Sequence, residues 1–438
     1  MSNILITIYM WNMRMIAKPF YSIKKLLTII GFSLLFFTTT VYAQNSTSSP
    51  YSYYGLGELN QNASGNSISM GGTSLAYRDG GVLNIQNPAA LAQVDSLKFI
   101  FNVGMAAKYT NLNQGNKSDY FNDYNLTRLA FGFKVSPRYS TAFSVSPYTS
   151  LGYEITKREK VIGSESYINR SLKGSGGLNQ LTWSNGVKVT KNLSLGINGI
   201  YLFGNNARDE IITMETGSSY VYKNNSKLIS KGVYFNLGAQ YQIDLGKYDF
   251  TLGAKYQPKV GVDAEQIIKV TNYSSGIGAV RHEDTDKGSF DVPESYGLGF
   301  GLKKGKQLWI GGDYLFEKWS DTEVFNKNSS LKDRNKFSLG MEYKANDGYA
   351  RKFLKKMTYR LGGFYDTGYV TVEDEKINSM GVSLGFGIPM AQNGGMINVA
   401  LEFGISGTTN NNLVREDFTR ITVDINLFEK WFVKRKYH

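Results

Sequence analysis

The sequence predicts an all-β protein, a transmembrane antiparallel β-barrel of about 14 strands with an N-terminal hatch in the lumen. Three observations predict it. Apolar and polar residues alternate with period two along most of the chain, aromatics gather near the ends of the alternating segments, and a secretion signal stands in front. The last stretch shows the pattern plainly: Thr419, Ile421, Val423, Ile425 and Leu427 share one face of a strand, while Arg420, Thr422, Asp424 and Asn426 share the other.

Composition narrows the class. The 438 residues include 47 Gly, 30 Tyr and 25 Phe against 8 Pro, which suits many strands, many tight turns and a stock of interfacial aromatics. A mean hydropathy of −0.28 with 42% hydrophobic residues excludes a helical membrane protein but fits a barrel, where only alternate residues meet lipid. Cysteine is absent, which removes disulfides, thiol nucleophiles and thiolate metal sites. The net charge of +13 is scattered among acids rather than gathered on one face, so no nucleic-acid partner is expected; Lys434-Arg435-Lys436 is too short a run to change that.

Residues 1–43 read as a signal peptide: Lys24-Lys25, an apolar run from Leu26 to Phe37, and the small-residue site Val41-Tyr42-Ala43 before Gln44. Met13 and Met15 are alternative starts. A retained anchor is the competing reading, opposed by the shortness of the apolar run and the lack of a stop-transfer helix after it. Cleavage near Ala43 delivers the mature chain to the outer membrane of a Gram-negative cell. Residues 44–97 show little alternation, yet their apolar and aromatic content argues against disorder. Placed ahead of a barrel, such a segment has its home in the lumen, as a hatch or plug.

Residues 98–438 form the expected barrel. Outward faces read Phe99/Phe101/Val103/Met105, Leu129/Phe131/Phe133/Val135, Phe235/Leu237, Leu298/Phe300/Leu302, Phe337/Leu339/Met341 and Val382/Leu384/Phe386, with Gly, Ser, Asn and charges opposite them. Breaks alternate between compact turns, at Pro137, Lys191, Gly246 and Gly305, and longer polar loops, at residues 111–123, 326–330 and 408–412. Short periplasmic turns and longer outer loops are how such barrels are threaded, and an even strand count puts both barrel ends in the periplasm. Residues 139–160 and 167–189 exceed the 9–11 or so that cross a bilayer, so the wall extends beyond it.

By Asn87-Pro88-Ala89 a family resemblance is on the page. Gly71-Gly72, Asp79 and NPA-A-L ahead of the first strand resemble the FadL/TodX family of outer-membrane transporters and its Bacteroidetes relatives. So do Gly174-Ser175-Gly176-Gly177, Val292-Pro293-Glu294, Asp313-Tyr314, Lys318-Trp319-Ser320 and the terminal Trp431-Phe432-Val433. The resemblance implies a hatch-closed barrel with Gly71, Gly72, Asn87, Pro88 and Ala89 in the hatch. It also implies passage of hydrophobic small molecules such as long-chain fatty acids, leaving sideways where the third strand kinks. Pro147 is the natural kink site, because proline removes a ladder donor; a simple bulge near a rim is the other reading. Gly174, Gly176 and Gly177 on the next strand fit either. The early loops look too short for a large ligand-capture domain. A non-transporting barrel, serving as subunit of an outer-membrane secretion or assembly complex, is the alternative function.

No enzyme chemistry stands out. His282 and His438 are the only histidines, no Ser-His pair is evident for a phospholipase, and no metal or cofactor site can be assembled. Gly297, Gly299 and Gly301 alternate with Leu298, Phe300 and Leu302, so they read as the small inward face of a strand rather than a phosphate loop. Arg128, Asp313, Glu342, Arg360, Asp366, Glu402, Arg420 and Asp424 have inward parity, where charges are expected to pair with one another or with the hatch. The expected partners are outer-membrane lipid, a hydrophobic small-molecule ligand, the insertion machinery during biogenesis and other envelope proteins.

Overall fold

Strict alternation makes a strand whose two faces differ, and many such strands bury their backbone polarity only by pairing all the way round. The computed structural model describes residues 47–214, 221–274, 277–325, 327–345, 352–390 and 395–430. The signal peptide expected over residues 1–43 and the terminal Trp431-Phe432-Val433 motif lie outside these described residues. The strands are β1 (Lys98–Gln114), β2 (Lys117–Ser136), β3 in two segments (Tyr139–Pro147 and Thr149–Lys160), β4 (Tyr167–Lys188), β5 (Leu193–Met214) and β6 (Val221–Asp244). Next come β7 (Tyr248–Gln257 and Val260–Ser274), β8 (Ile277–Val292 and Ser295–Lys304), β9 (Leu308–Glu317), β10 (Arg334–Lys344), β11 (Thr358–Asp366), β12 (Ser379–Pro389), β13 (Met396–Gly407) and β14 (Arg415–Lys430). Neighbours run antiparallel, and β1 pairs with β14 from Lys98↔Lys430 to Asn113↔Arg415, closing a barrel of 14 strands.

The outward faces form the oily belt: Phe131, Leu237, Phe300, Leu339 and Val382 are all exposed, while their inward neighbours Ala130, Asn236, Ser338 and Ser383 are buried. No helix among the described residues is long and apolar enough to cross a membrane; the strands do the crossing. At the loop rim the wall is uneven. β4, β5 and β6 have 22, 22 and 24 residues, whereas β9 to β12 have 10, 11, 9 and 11, so one side rises well above a bilayer. The loop expected over residues 111–123 is part of this wall: β1 and β2 continue through it to a tight turn at Gly115, where φ is +57°. Its polar composition belongs to a strand pair in water, not to a loop.

Three prolines break strands, and each break inverts which parity faces inward. In β3 the buried residues are Ser140, Ala142, Ser144 and Ser146 before Pro147, but Thr149, Leu151 and Tyr153 after it. In β7 Thr251 and Gln257 are buried before Pro258, then Val262 and Ala264. In β8 Phe290 and Val292 are buried before Pro293, then Ser295. A one-residue slip flips every side chain to the other face. The outer half of the lumen therefore receives apolar side chains, and Leu202, Val262, Phe290 and Val292 pack there with Leu56, Trp319, Tyr369 and Val370.

The interior is filled by residues 47–97, which touch inward positions all round the wall. A Cβ on Gly196 would sit 2.4 Å from Pro88, one on Gly253 2.2 Å from Leu75, and one on Gly362 2.1 Å from Met70. Gly297 and Gly299 likewise face Leu75. Gly71, at φ +67°, would place a Cβ 2.4 Å from the carbonyl oxygen of Gly363, whereas the turn residue Gly246, at φ +76°, has nothing within 4 Å. Gly246→Ala is expected to cost about 1–2 kcal/mol from backbone strain alone, and Gly71→Ala about 3 kcal/mol or more from strain plus overpacking. Denaturant unfolding followed by loss of the compact band on electrophoresis checks the order; equal costs would mean residues 47–97 are not packed against β11.

Candidate functional site

The NPA motif is the turn that seats the inner segment. Asn87 caps a short helical turn, Pro88–Gln93, its Oδ1 accepting from the Ala89 N–H at 3.2 Å. Its Nδ2 donates to the Leu75 carbonyl at 2.7 Å and to the Ala239 carbonyl of β6 at 3.2 Å. Pro88 occupies the first turn, where no N–H is missed, and Ala89 is fully buried. Around it Leu83, Ile85, Leu91 and Val94 pack against Ile100, Ala130 and Ala142 of the wall. Gly71 and Gly72 both have positive φ, and the Gly71 N–H donates to Ser383 Oγ on β12 at 2.9 Å.

The inward charges are held in linked networks. Near the turn rim, Arg360 Nε donates to Glu342 Oε2 at 2.7 Å, Tyr77 Oη to the same oxygen at 2.9 Å, and Lys344 Nζ to Asp79 Oδ2 at 2.8 Å. Arg360 also reaches Asn398 Oδ1 at 3.0 Å. At mid-height Arg128 donates to Asn102 Oδ1 at 2.9 Å and to the Leu83 carbonyl at 3.2 Å, while Asp424 accepts from Asn102 Nδ2 at 2.8 Å. Asp313 Oδ2 accepts the Ser74 and Leu75 N–H groups at 2.6 and 2.9 Å. Toward the loop rim, Arg334 bridges Glu317 and Asp366, each at 2.9 Å, and Arg420 pairs with Glu402 at 3.1 Å. Glu58 of the inner segment meets Lys108 of β1 at 2.9 Å. Burial by itself would raise the Glu58 carboxyl, but Lys108 and Arg420 outweigh it and hold the group down at about 2.

The wall splits between β2 and β3. β2 pairs with β3 only from Leu129↔Val145 to Ser136↔Tyr139, and the outer segment of β3 pairs with β4. Residues 47–60 line the gap. Ser48 Oγ donates to Asp123 Oδ1 on β2 at 2.7 Å, Ser52 Oγ to the Gly152 carbonyl on β3 at 3.0 Å, and Glu58 and Leu59 pair with Ser150 and Thr149. Pro147 stands at the bend, and the Tyr148 N–H crosses to the Leu178 carbonyl at 2.7 Å. On β4, Gly176 and Gly177 have φ of +117° and +151°, and a Cβ on Gly177 would lie 2.4 Å from the Thr149 carbonyl. Gly174 lies under the Tyr153 ring, where a Cβ would come within 2.1 Å. The bend carries on to Gly204 of β5, φ +152°, which sequence reading does not single out because one glycine in a long strand has no distinct signal.

Behind the split a cavity touches Pro147, Asn125, Thr127, Lys108 and Arg420. A second, of about 150 Å³, lies at the centre of the lumen against Tyr148, Gln180, Asn198, Lys255 and Lys336. Both have mixed polar and apolar linings. The only histidine among the described residues, His282, stands exposed on β8.

Comparison with solved structures places the fold among outer-membrane channels. The Pseudomonas putida toluene transporter TodX aligns with a TM-score of 0.58 at 17% identity, covering 86% of this chain and 100% of that one. The Ralstonia pickettii toluene transporter TbuX gives 0.54 at 18% identity, over 84% and 99%. A Pseudomonas aeruginosa FadL homologue gives 0.54 at 14%, over 85% and 98%. At these identities the likeness is one of fold, that of a FadL/TodX-type barrel of the Gram-negative outer membrane. No curated protein matches the chain. The BamG family model matches residues 22–438, and the chain belongs to the BamG family.

Proposed function

We propose that this chain is a non-transporting barrel subunit of an outer-membrane protein assembly or secretion complex. The observation that carries the reading is the filled lumen. Residues 47–97 are tied to the wall by ion pairs and hydrogen bonds near both rims and at mid-height, and the two larger cavities left between them, about 150 Å³ each, have mixed polar and apolar linings. A hydrophobic solute would have to cross those charged layers without compensation. The raised wall of β4 to β6 offers a partner a rigid, water-facing surface on one side of the barrel.

A second reading, hatch-gated passage of hydrophobic molecules such as long-chain fatty acids through a lateral opening at Pro147, is favoured by the split between β2 and β3 and by the fold shared with TodX and TbuX. In it, Gly71, Gly72 and the NPA turn would serve the hatch. Lipid surrounds the belt under either reading, and the barrel would reach the membrane through the insertion machinery.

Affinity purification in mild detergent is expected to bring down stoichiometric envelope proteins. Recovery of the chain alone, together with fatty-acid or aromatic uptake that depends on it, would reverse the order of the two readings. In planar bilayers the wild type is expected to pass no steady current. Arg360→Leu, which leaves Glu342 only Tyr77 and the longer contact to Lys344 at 3.4 Å, is expected to lose about 3 kcal/mol of stability and to flicker open; a silent, equally stable variant would show that this pair does not hold the lumen closed.

A further inference from the structure

The central cavity has a composition that sealing does not require. Lys255 on β7 and Lys336 on β10 belong to one row across the wall, Lys255↔Gly297↔Leu315↔Lys336, with no side chain at Gly297 between them. Three strand spacings set their backbones about 14 Å apart along the sheet, and both side chains line the same cavity. Lys336 is 7% exposed. Among the described residues neither ammonium has a hydrogen-bond or ion-pair partner. The remaining cation there, Arg334, is committed to Glu317 and Asp366.

The same walls carry acceptors without donors. Asn62 Oδ1, Thr182 Oγ1, Asn198 Oδ1 and Asp313 Oδ1 are buried and unbonded. For Asn198 the amide direction is set, because its Nδ2 donates to the Ile85 carbonyl and to Asn236 Oδ1, each at 2.8 Å. Buried polar atoms of native proteins find partners, and a polar cavity of this size holds on the order of ten waters or a solute replacing them. An occupant that satisfies this chamber brings negative charge to two point-like ammonium groups and hydroxyl donors to four acceptors. Lysines suit phosphate as point charges, whereas a carboxylate is best held by an arginine fork, which here is already taken.

We propose that the chamber is a binding site for a small, water-soluble hydroxylated phosphate of about the size of glycerol 3-phosphate. The apolar part of its lining, Leu75, Ile85, Ile200 and Leu315 with the rings of Tyr148 and Tyr234, is dispersed among the polar groups and matches the short carbon backbone of such a solute. The site is independent of whether the barrel transports or assembles.

The test is calorimetric titration of the full chain in detergent with glycerol 3-phosphate, and separately with neutral glycerol. Saturable binding of the phosphate but not of glycerol is expected. Lys336→Met and Lys255→Met should each weaken binding about tenfold, the loss of one charged hydrogen bond, while Lys247→Met in an exposed turn away from the chamber should bind as wild type. Lys336→Arg retains the charge and should recover most of the affinity, which separates loss of the site from loss of the fold. The absence of binding to the wild type, or unchanged affinity in both methionine variants, would overturn the site. So would binding seen only with phosphatidylglycerol in nanodiscs and not with the soluble phosphate, since the ligand would then be a lipid headgroup.

Discussion

A closed barrel must fill its own interior, and every charge that points inward has to be answered there. That constraint organises this molecule more than any single motif. The inward parity of the strands delivers Arg128, Glu342, Arg360, Asp366, Glu402, Arg420 and Asp424 to a space with little bulk water, where an unanswered charge costs several kcal/mol. The wall answers some of them across strands, as Arg360 does Glu342 and Arg420 does Glu402. The inner segment answers others, Asp79 meeting Lys344, Glu58 meeting Lys108, Tyr77 donating to Glu342 and the Leu83 carbonyl accepting from Arg128. Glycines at Gly196, Gly253 and Gly362 then let backbone lie against backbone, so filler and wall share one packing surface.

The lumen is layered in consequence. Near the turns a small apolar core sits beside the Tyr77–Glu342–Arg360 network; at mid-height lies a polar chamber; toward the loops comes a larger apolar cluster roofed by Trp319 and Tyr369, whose rings are 4.6 Å apart. This order is the reverse of what a continuous greasy passage needs. A barrel that shares the fold of the toluene transporter TodX at 17% identity thus carries polar layers across its lumen.

Much of the fold was legible because period-two patterning is a direct record of which face meets lipid. The strands, the turns at Pro137, Lys191, Gly246 and Gly305, and the inward charges could all be read from parity. What could not be read is where parity itself changes. Pro147 draws attention as a lone proline in a long strand, whereas Pro258 goes unmarked and Pro293 stands out only within the Val292-Pro293-Glu294 resemblance, neither with a sign of the parity change it makes. The slips they cause turn Val262, Phe290 and Val292 inward, so residues with the look of lipid contacts belong to the interior core. The chamber was hidden for another reason: Lys255 and Lys336 have inward parity, yet whether an inward lysine finds a partner depends on contacts between strands far apart in sequence. The polar stretch over residues 111–123 misleads because strands standing in water lose the alternation that marks them within lipid.

The seam where β1 meets β14 bears on the order in which the molecule comes together. The filler precedes the barrel in the chain, and its NPA turn is wedged against β5 and β6, halfway round from that seam. A cylinder already zipped shut could not be threaded with some fifty knotted-down residues, so the stuffing has to be aboard while the edge strands are still apart. The last ladder to form therefore acts as a latch on a lumen already loaded.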